Sequence, residues 1–251
     1  MTIADYQSLF GKLRRLNLSA FITGIEALYE SEPDKASLLA TLLEPMAADE
    51  IGGRFERTVK RRIKDAQFIR LQTVDSFDFG YNPSTRKLKK RYLKLLHADP
   101  VEQGVGAVLI GNSGLGKSHL ARALGYAACQ RGHSVLFTPC ATLLNRLVAA
   151  EASKELGRQV KKYQSPSLLV IDELAYLTMS HQEANLFFQV VSRRHDHGKP
   201  TVVTSNKPFA EWNQVFHGDS TAHAIVDRLT ERAEIFYVEG KSYRQTHRKG
   251  I

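Results

Sequence analysis

Two textures divide the chain. Through the first 70 residues apolar positions recur at helical spacing. Phe21, Ile22, Ile25, Leu28 and Tyr29 fall on one face. Ser31-Glu32-Pro33-Asp34 breaks the pattern, and Leu38, Leu39, Leu42, Leu43 and Met46 form a second apolar stripe. Gly52-Gly53 punctuates again, after which RFERTVKRRIKDAQF brings Phe55, Val59 and Ile63 to one side of a further helix. From about residue 105 short apolar runs alternate with longer helical patterns. GAVLIG, SVLFTP, SLLVID, PTVVTSN and EIFYVEG are five strand candidates. Strands apolar on both faces and separated by helices predict a parallel sheet covered on both sides. The expected layout is a small all-helical N-terminal domain at 1–70, a basic linker at 71–104 and an α/β domain at 105–251 with a central parallel sheet flanked by helices.

Charge sharpens this layout. Residues 1–50 carry four Lys/Arg against eight Asp/Glu, whereas residues 51–100 carry thirteen against five. The excess behind the overall charge of +9 is thus concentrated in one stretch. A polyanion is its natural partner, nucleic acid before membrane. The outward side of the helix after Gly53 offers Arg57, Lys60, Arg61, Arg62 and Lys64, and RKLKKRYLK offers Arg86, Lys87, Lys89, Lys90, Arg91 and Lys94 around Leu88, Tyr92, Leu93 and Leu95. Both runs read as DNA phosphate contacts or as plain solvated faces. With no base-reading motif in view, the expected partner is duplex DNA gripped through its backbone. The acidic helices of 1–50 suit a protein partner or self-association instead.

No apolar stretch approaches the length of a membrane span, and the N-terminus lacks the order of a signal peptide, so a cytoplasmic location is expected. Cys129 and Cys140 lack metal-ligand spacing and read as reduced, partly buried thiols. His195 and His197 read as surface residues.

The chemistry is concentrated at the ends of the expected strands. GNSGLGKS, from Gly111 to Ser118, fits G-x-x-x-x-G-K-[ST] between a strand and a helix. Gly111, Gly114 and Gly116 let the backbone N–H groups of Gly111, Asn112, Ser113, Gly114, Leu115, Gly116 and the helix start at Lys117, Ser118 and His119 close around phosphate oxygens. Lys117 is expected on the β- and γ-phosphates of ATP, and Ser118 on Mg²⁺. SLLVIDEL ends in Asp172-Glu173, giving Asp172 a role at Mg²⁺ and Glu173 that of a general base for water. Asn206, closing VVTSN, either touches the γ-phosphate or lytic water or simply ends a strand.

GNSGLGKSHLARALG, LLVIDELAYL, TSNKPFAEW, IVDRLTERA and EGKSYR, in this order, with FDF at Phe77–Phe79, resemble the IstB family of transposition helper ATPases, in the AAA+ superfamily and close to the DnaC-type helicase loaders. The resemblance covers most of residues 60–245. It implies an AAA+ fold, ATP hydrolysis, DNA binding, homo-oligomer formation and stimulation of a partner transposase in insertion-sequence transposition. It makes Asn206 a sensor and Arg228, in Asp-Arg-Leu, the arginine inserted into a neighbouring subunit's site; on the residues alone Arg228 also reads as a partner of Asp227 or Glu231. Arg244 in GKSYR carries no settled role, because the chain stops seven residues later. Two rivals remain, a helicase loader of the DnaC type and a monomeric P-loop kinase for a small metabolite. The second leaves the basic stretch, Asp172-Glu173 and Arg228 without work.

Overall fold

The computed structural model describes residues 6–176, 178–216 and 219–246. Residues 1–5 and 247–251, included in the expected domains, lie outside the described residues. The chain forms two units, Met1–Lys60 and Arg61–Ile251. Among the described residues no helix is long and apolar enough to cross a membrane.

The first unit contains α1 (Gln7–Arg15), α2 (Ser19–Ser31) and most of α3 (Pro33–Asp65). Pro33 opens α3 at the position where its missing N–H costs nothing, so the chain breaks where expected. The core joins Leu9, Phe10 and Leu13 of α1 to Ile22 and Ile25 of α2 and to Ala40 and Ala47 of α3. Two expectations fail here. The stripe Leu38, Leu39, Leu42 and Met46 faces solvent, with Met46 64% exposed, while Ala36, Ala40 and Ala47 are buried and Leu43 is half-buried. Small side chains admit closer approach of the other helices, and that packing selects the alanine face. Gly52-Gly53 also lies inside a continuous helix. Each glycine costs the helix about 1 kcal/mol. The ion pairs of Glu50 with Arg54 at 2.7 Å and with Arg57 at 3.2 Å span the pair of glycines.

In the second unit α4 (Pro83–His97) precedes β1 (Gly106–Ile110), α5 (Lys117–Gln130), β2 (Val135–Pro139), α6 (Cys140–Ala152), α7 (Leu156–Gln164) and β3 (Leu168–Asp172). Then come α8 (His181–Asp196), β4 (Thr201–Ser205), α9 (Trp212–Val215), α10 (Asp219–Thr230), β5 (Ala233–Tyr237) and α11 (Tyr243–Thr246). All five expected strands form, and they pair in parallel in the order β2-β3-β4-β1-β5. Alternation along each strand supplies two apolar layers. Ala107, Leu109, Phe137, Val170 and Val202 face α4 and α5. Val108, Ile110, Leu136, Ile171 and Val203 face α6 through α10. The register sets Ile110 level with Ser205 and Pro139 level with Asp172, so the strands' C-terminal ends form one ledge.

The boundary drawn at residue 70 and the linker at 71–104 do not coincide with this division. Residues 61–104 lie within the second unit, where α4 seals one face of the sheet with Leu88, Tyr92, Leu95 and Leu96. Burying each leucine contributes roughly 2 kcal/mol, which a tether would forgo. The Tyr92 hydroxyl donates to the Leu120 carbonyl at 2.8 Å, fixing α4 on α5.

Candidate nucleotide site

The ledge is where ligands meet open parallel sheets, and β1 delivers the loop 111–116 to it. Gly114 and Gly116 adopt left-handed backbone, at φ 82° and 88°. Their lack of a side chain serves packing as well. A Cβ on Gly116 would lie 2.5 Å from the Phe77 ring, and one on Gly114 would lie 2.1 Å from Ser242 Oγ. The loop is therefore gripped from both sides by FDF and by EGKSYR. Tyr243 N–H donates to the Gly114 carbonyl at 3.0 Å, and Asn82 exchanges two 3.0 Å hydrogen bonds with the Lys241 backbone. That grip explains why these two distant motifs accompany the loop. Leu115 is buried, while Asn112 and Ser113 are exposed.

Lys117 begins α5 and is nearly buried, with Nζ donating to the Asn112 carbonyl at 2.8 Å. Burial pushes its pKa down, and the charges of Asp172 and Glu173 oppose that, while Arg244 reinforces it. Among the described residues it has no ion pair. A buried ammonium beside the loop N–H groups and the positive end of α5 favours a polyanion there.

Ser118 Oγ donates to Asp172 Oδ1 at 2.7 Å, and Thr204 Oγ1 donates to the same oxygen at 2.6 Å. Thr204 Oγ1 in turn accepts the Glu173 N–H at 2.9 Å. Glu173 holds φ at +61°, a left-handed conformation that carries strain for a non-glycine residue, and its side chain is exposed. Ser118 keeps its oxygen lone pairs after giving its hydrogen to Asp172. This donor set fits Mg²⁺ held by Ser118 and, through water, by Asp172.

Asn206 follows β4 directly and is exposed. Ser205 Oγ bridges the Lys207 backbone at 2.7 and 3.1 Å, and the Trp212 indole N–H reaches the Lys207 carbonyl at 3.1 Å. SNKPFAEW is thus a turn pinned at Ser205 and Lys207, on either side of Asn206, at the C-terminal end of β4. The His119 side chain turns elsewhere. Its Nε2 lies 2.9 Å from the Thr73 carbonyl and 3.2 Å from Ser76 Oγ, with Phe77 edge-on against the ring, so only its backbone belongs to the phosphate loop.

Arg228 sits at the opposite, N-terminal ends of the strands, lining a cleft with Gly106 and Thr201, the first residues of β1 and β4. Its guanidinium lies 4.9 Å from the Phe188 ring centre, and Nε donates to Ser192 Oγ at 3.2 Å. Neither Asp227 nor Glu231 pairs with it; Glu231 binds His195 at 2.6 Å.

The basic side chains divide into held and free. Arg62 donates to the Gly132 carbonyl at 3.2 Å and Arg57 pairs with Glu50, while Arg91 pairs with Glu234 and lies over Phe236. Arg86 donates to the Gly80 carbonyl and Lys89 lies over Phe79. Lys60, Arg61, Lys64, Lys87, Lys90 and Lys94 are exposed and, among the described residues, without ion pairs. Two residues of the site escaped the sequence reading, Thr204 and Arg122. For Thr204 the signal was a hydroxyl inside an otherwise apolar strand; for Arg122 it was a charge one helical turn beyond Ser118.

The model of the IstB-like ATP binding protein family matches residues 11–250. The chain belongs to that family. The IstB-like chain is 34% identical over 232 residues to an insertion sequence IS21 putative ATP-binding protein of Pseudomonas aeruginosa, covering 92% of this chain and 86% of the relative. It is 32% identical to the IS232 counterpart from Bacillus thuringiensis subsp. berliner, covering 96% and 95%. Among solved structures, the DnaC helicase loader aligns with a TM-score of 0.60 at 20% identity, over 72% of this chain and 99% of that one. AMPPCP-bound DnaA from Aquifex aeolicus aligns with a TM-score of 0.56 at 19% identity, over 68% and 51%. These structures share the AAA+ fold with the IstB-like chain, as the sequence resemblance implied.

Proposed function

We propose that this IstB-like chain is a Mg²⁺-dependent ATPase that assembles with copies of itself on duplex DNA and activates a partner transposase. The observation that carries the reading is the placement of two groups within one unit. Ser118, Asp172 and Glu173 meet on the ledge, whereas Arg228 lies at the other end of the strands. Arg228 cannot serve its own subunit's loop from there, but it suits the loop of an adjoining copy. A cation brought to the γ-phosphate in this way is worth about 10³–10⁵ in rate in related NTPases. Hydrolysis then depends on assembly.

In this scheme Lys117 and the loop N–H groups bind ATP, and Ser118 and Asp172 hold Mg²⁺. Glu173 takes a proton from the attacking water, and Asn206 reports the γ-phosphate. Mg²⁺ supplies charge neutralisation when bound. The free lysines of α4 contact DNA phosphates. Leu38, Leu42 and Met46, exposed in an acidic unit, offer the transposase or a further copy an apolar surface. The insertion-sequence origin of the relatives favours a transposase over a replicative helicase as partner.

Imaging the protein on duplex DNA with ATP or ADP tests the scheme. ATP should give particles larger than a monomer, which Glu173→Gln retains and Lys117→Ala loses. Turnover indifferent both to DNA and to protein concentration would instead support a monomeric small-molecule kinase.

A further inference from the structure

Arg122 lies one helical turn beyond Ser118, a spacing that brings both side chains to the same side of α5. Its Nη2 donates to Asp172 Oδ2 at 3.2 Å, and its Nη1 donates to Gln72 Oε1 at 2.8 Å. The guanidinium lies over the Phe137 ring at 4.9 Å. Both members of the ion pair are buried, with side chains 14% and 6% exposed. The third donor position, Nε, is buried and has no acceptor.

These contacts leave Asp172 with little spare capacity. Oδ1 takes the hydroxyls of Ser118 and Thr204, so Oδ2, the oxygen left for a metal-bound water, is the one that Arg122 occupies. A cation arriving at Asp172 meets a resident cation at a distance where like charges oppose each other strongly in a buried setting. Gln72 offers the guanidinium an alternative acceptor. It belongs to the strap 72–77, which also receives His119 at Thr73 and Ser76 and lays Phe77 over Gly116.

We propose that Arg122 is a positioning residue for the metal carboxylate: it competes with Mg²⁺ for Asp172 Oδ2 and, through Gln72, transmits the outcome to the strap 72–77. The inference rests on the reading of the loop as a Mg²⁺-nucleotide site. With Mg²⁺-nucleotide bound, Asp172 Oδ2 would turn from Arg122, the ion pair would loosen and the guanidinium would rest on Gln72. The strap thereby senses the metal rather than the phosphates alone. It continues the chain that leaves α3, the helix that spans the boundary between the two units.

The test uses the full chain and a fluorescent ATP analogue titrated across a Mg²⁺ series. Arg122→Gln should lower the half-saturating Mg²⁺ concentration about tenfold, from the charge removed. Gln72→Leu, which leaves the guanidinium to Asp172 alone, should raise it. Hydrogen exchange across 72–77 in the nucleotide-bound wild type should change on adding Mg²⁺, and Arg122→Gln should abolish that change. If Arg122→Gln fails to fold, Arg122→Lys keeps the charge over Phe137 without reaching both acceptors. It should shift the midpoint in the same direction by a smaller factor. A Mg²⁺ midpoint unmoved in a folded Arg122 variant overturns the role of Arg122 while leaving the nucleotide site intact. A wild type that binds no nucleotide overturns the site itself, and this role with it.

Discussion

Thr204 donates its hydroxyl hydrogen to Asp172 across 2.6 Å and receives the Glu173 N–H at 2.9 Å, so one buried side chain fixes two neighbouring acids. Thr204→Val keeps the shape and deletes both bonds. The Glu173 N–H then loses its acceptor at a residue already held at positive φ. We expect a stability loss of about 1–3 kcal/mol, measured by denaturant unfolding. ATP turnover should fall about 100-fold, because Glu173 is no longer held in place, while nucleotide affinity changes little. Unimpaired turnover in Thr204→Val would remove Thr204 from the catalytic arrangement.

The basic face of α4 separates into held side chains, Arg86, Lys89 and Arg91, and the free lysines Lys87, Lys90 and Lys94. Replacing Lys87, Lys90 and Lys94 together by Gln should weaken duplex binding on every sequence tried. It should also flatten the dependence of log K on log salt by about 0.9 for each DNA phosphate no longer neutralised. Arg62→Gln, which removes the hydrogen bond to Gly132, should lower thermal stability more than DNA affinity. An unchanged salt slope in the triple variant would move the DNA surface elsewhere.

Asp99 gives a pH prediction away from the nucleotide site. Burial acts to raise its pKa, but the 2.8 Å bond and charge of His133, with the N–H groups of Glu102 and Val101, outweigh that and hold it below the usual 3.8. A carboxyl depressed in the folded state stabilises above its unfolded pKa and loses that contribution as pH falls through the folded value. Asp99→Asn should therefore lower stability at neutral pH and flatten the acid limb of the unfolding curve below about pH 4. Equal slopes for the two proteins on that limb would contradict the assignment.

Sequence and structure part company for identifiable reasons. The five strands, the loop at 111–118 and Asp172-Glu173 were legible because each is local: an apolar run, a glycine spacing, a pair of acids at a strand end. Thr204 was not, since its role arises only when β4 lies beside β3. The outward turn of Leu38, Leu42 and Met46 was hidden because periodicity finds an apolar face without saying whether alanines offer a closer one. Residues 71–104 read as a linker by charge, whereas Leu88, Tyr92, Leu95 and Leu96 decide their place by packing. The separation of Arg228 from the loop arises only when the parallel strands align, with their ends on one side and their starts on the other.

If one copy's Arg228 completes another copy's site, two defective variants should restore each other when mixed. Arg228→Ala retains Glu173 on its own ledge, and Glu173→Gln retains Arg228. Each alone should turn over ATP poorly in the presence of duplex DNA. Mixed in equal amounts, they form interfaces in which an intact ledge faces an intact arginine, and turnover should rise well above the sum of the two separate rates. A mixture no faster than that sum would contradict a site shared between copies.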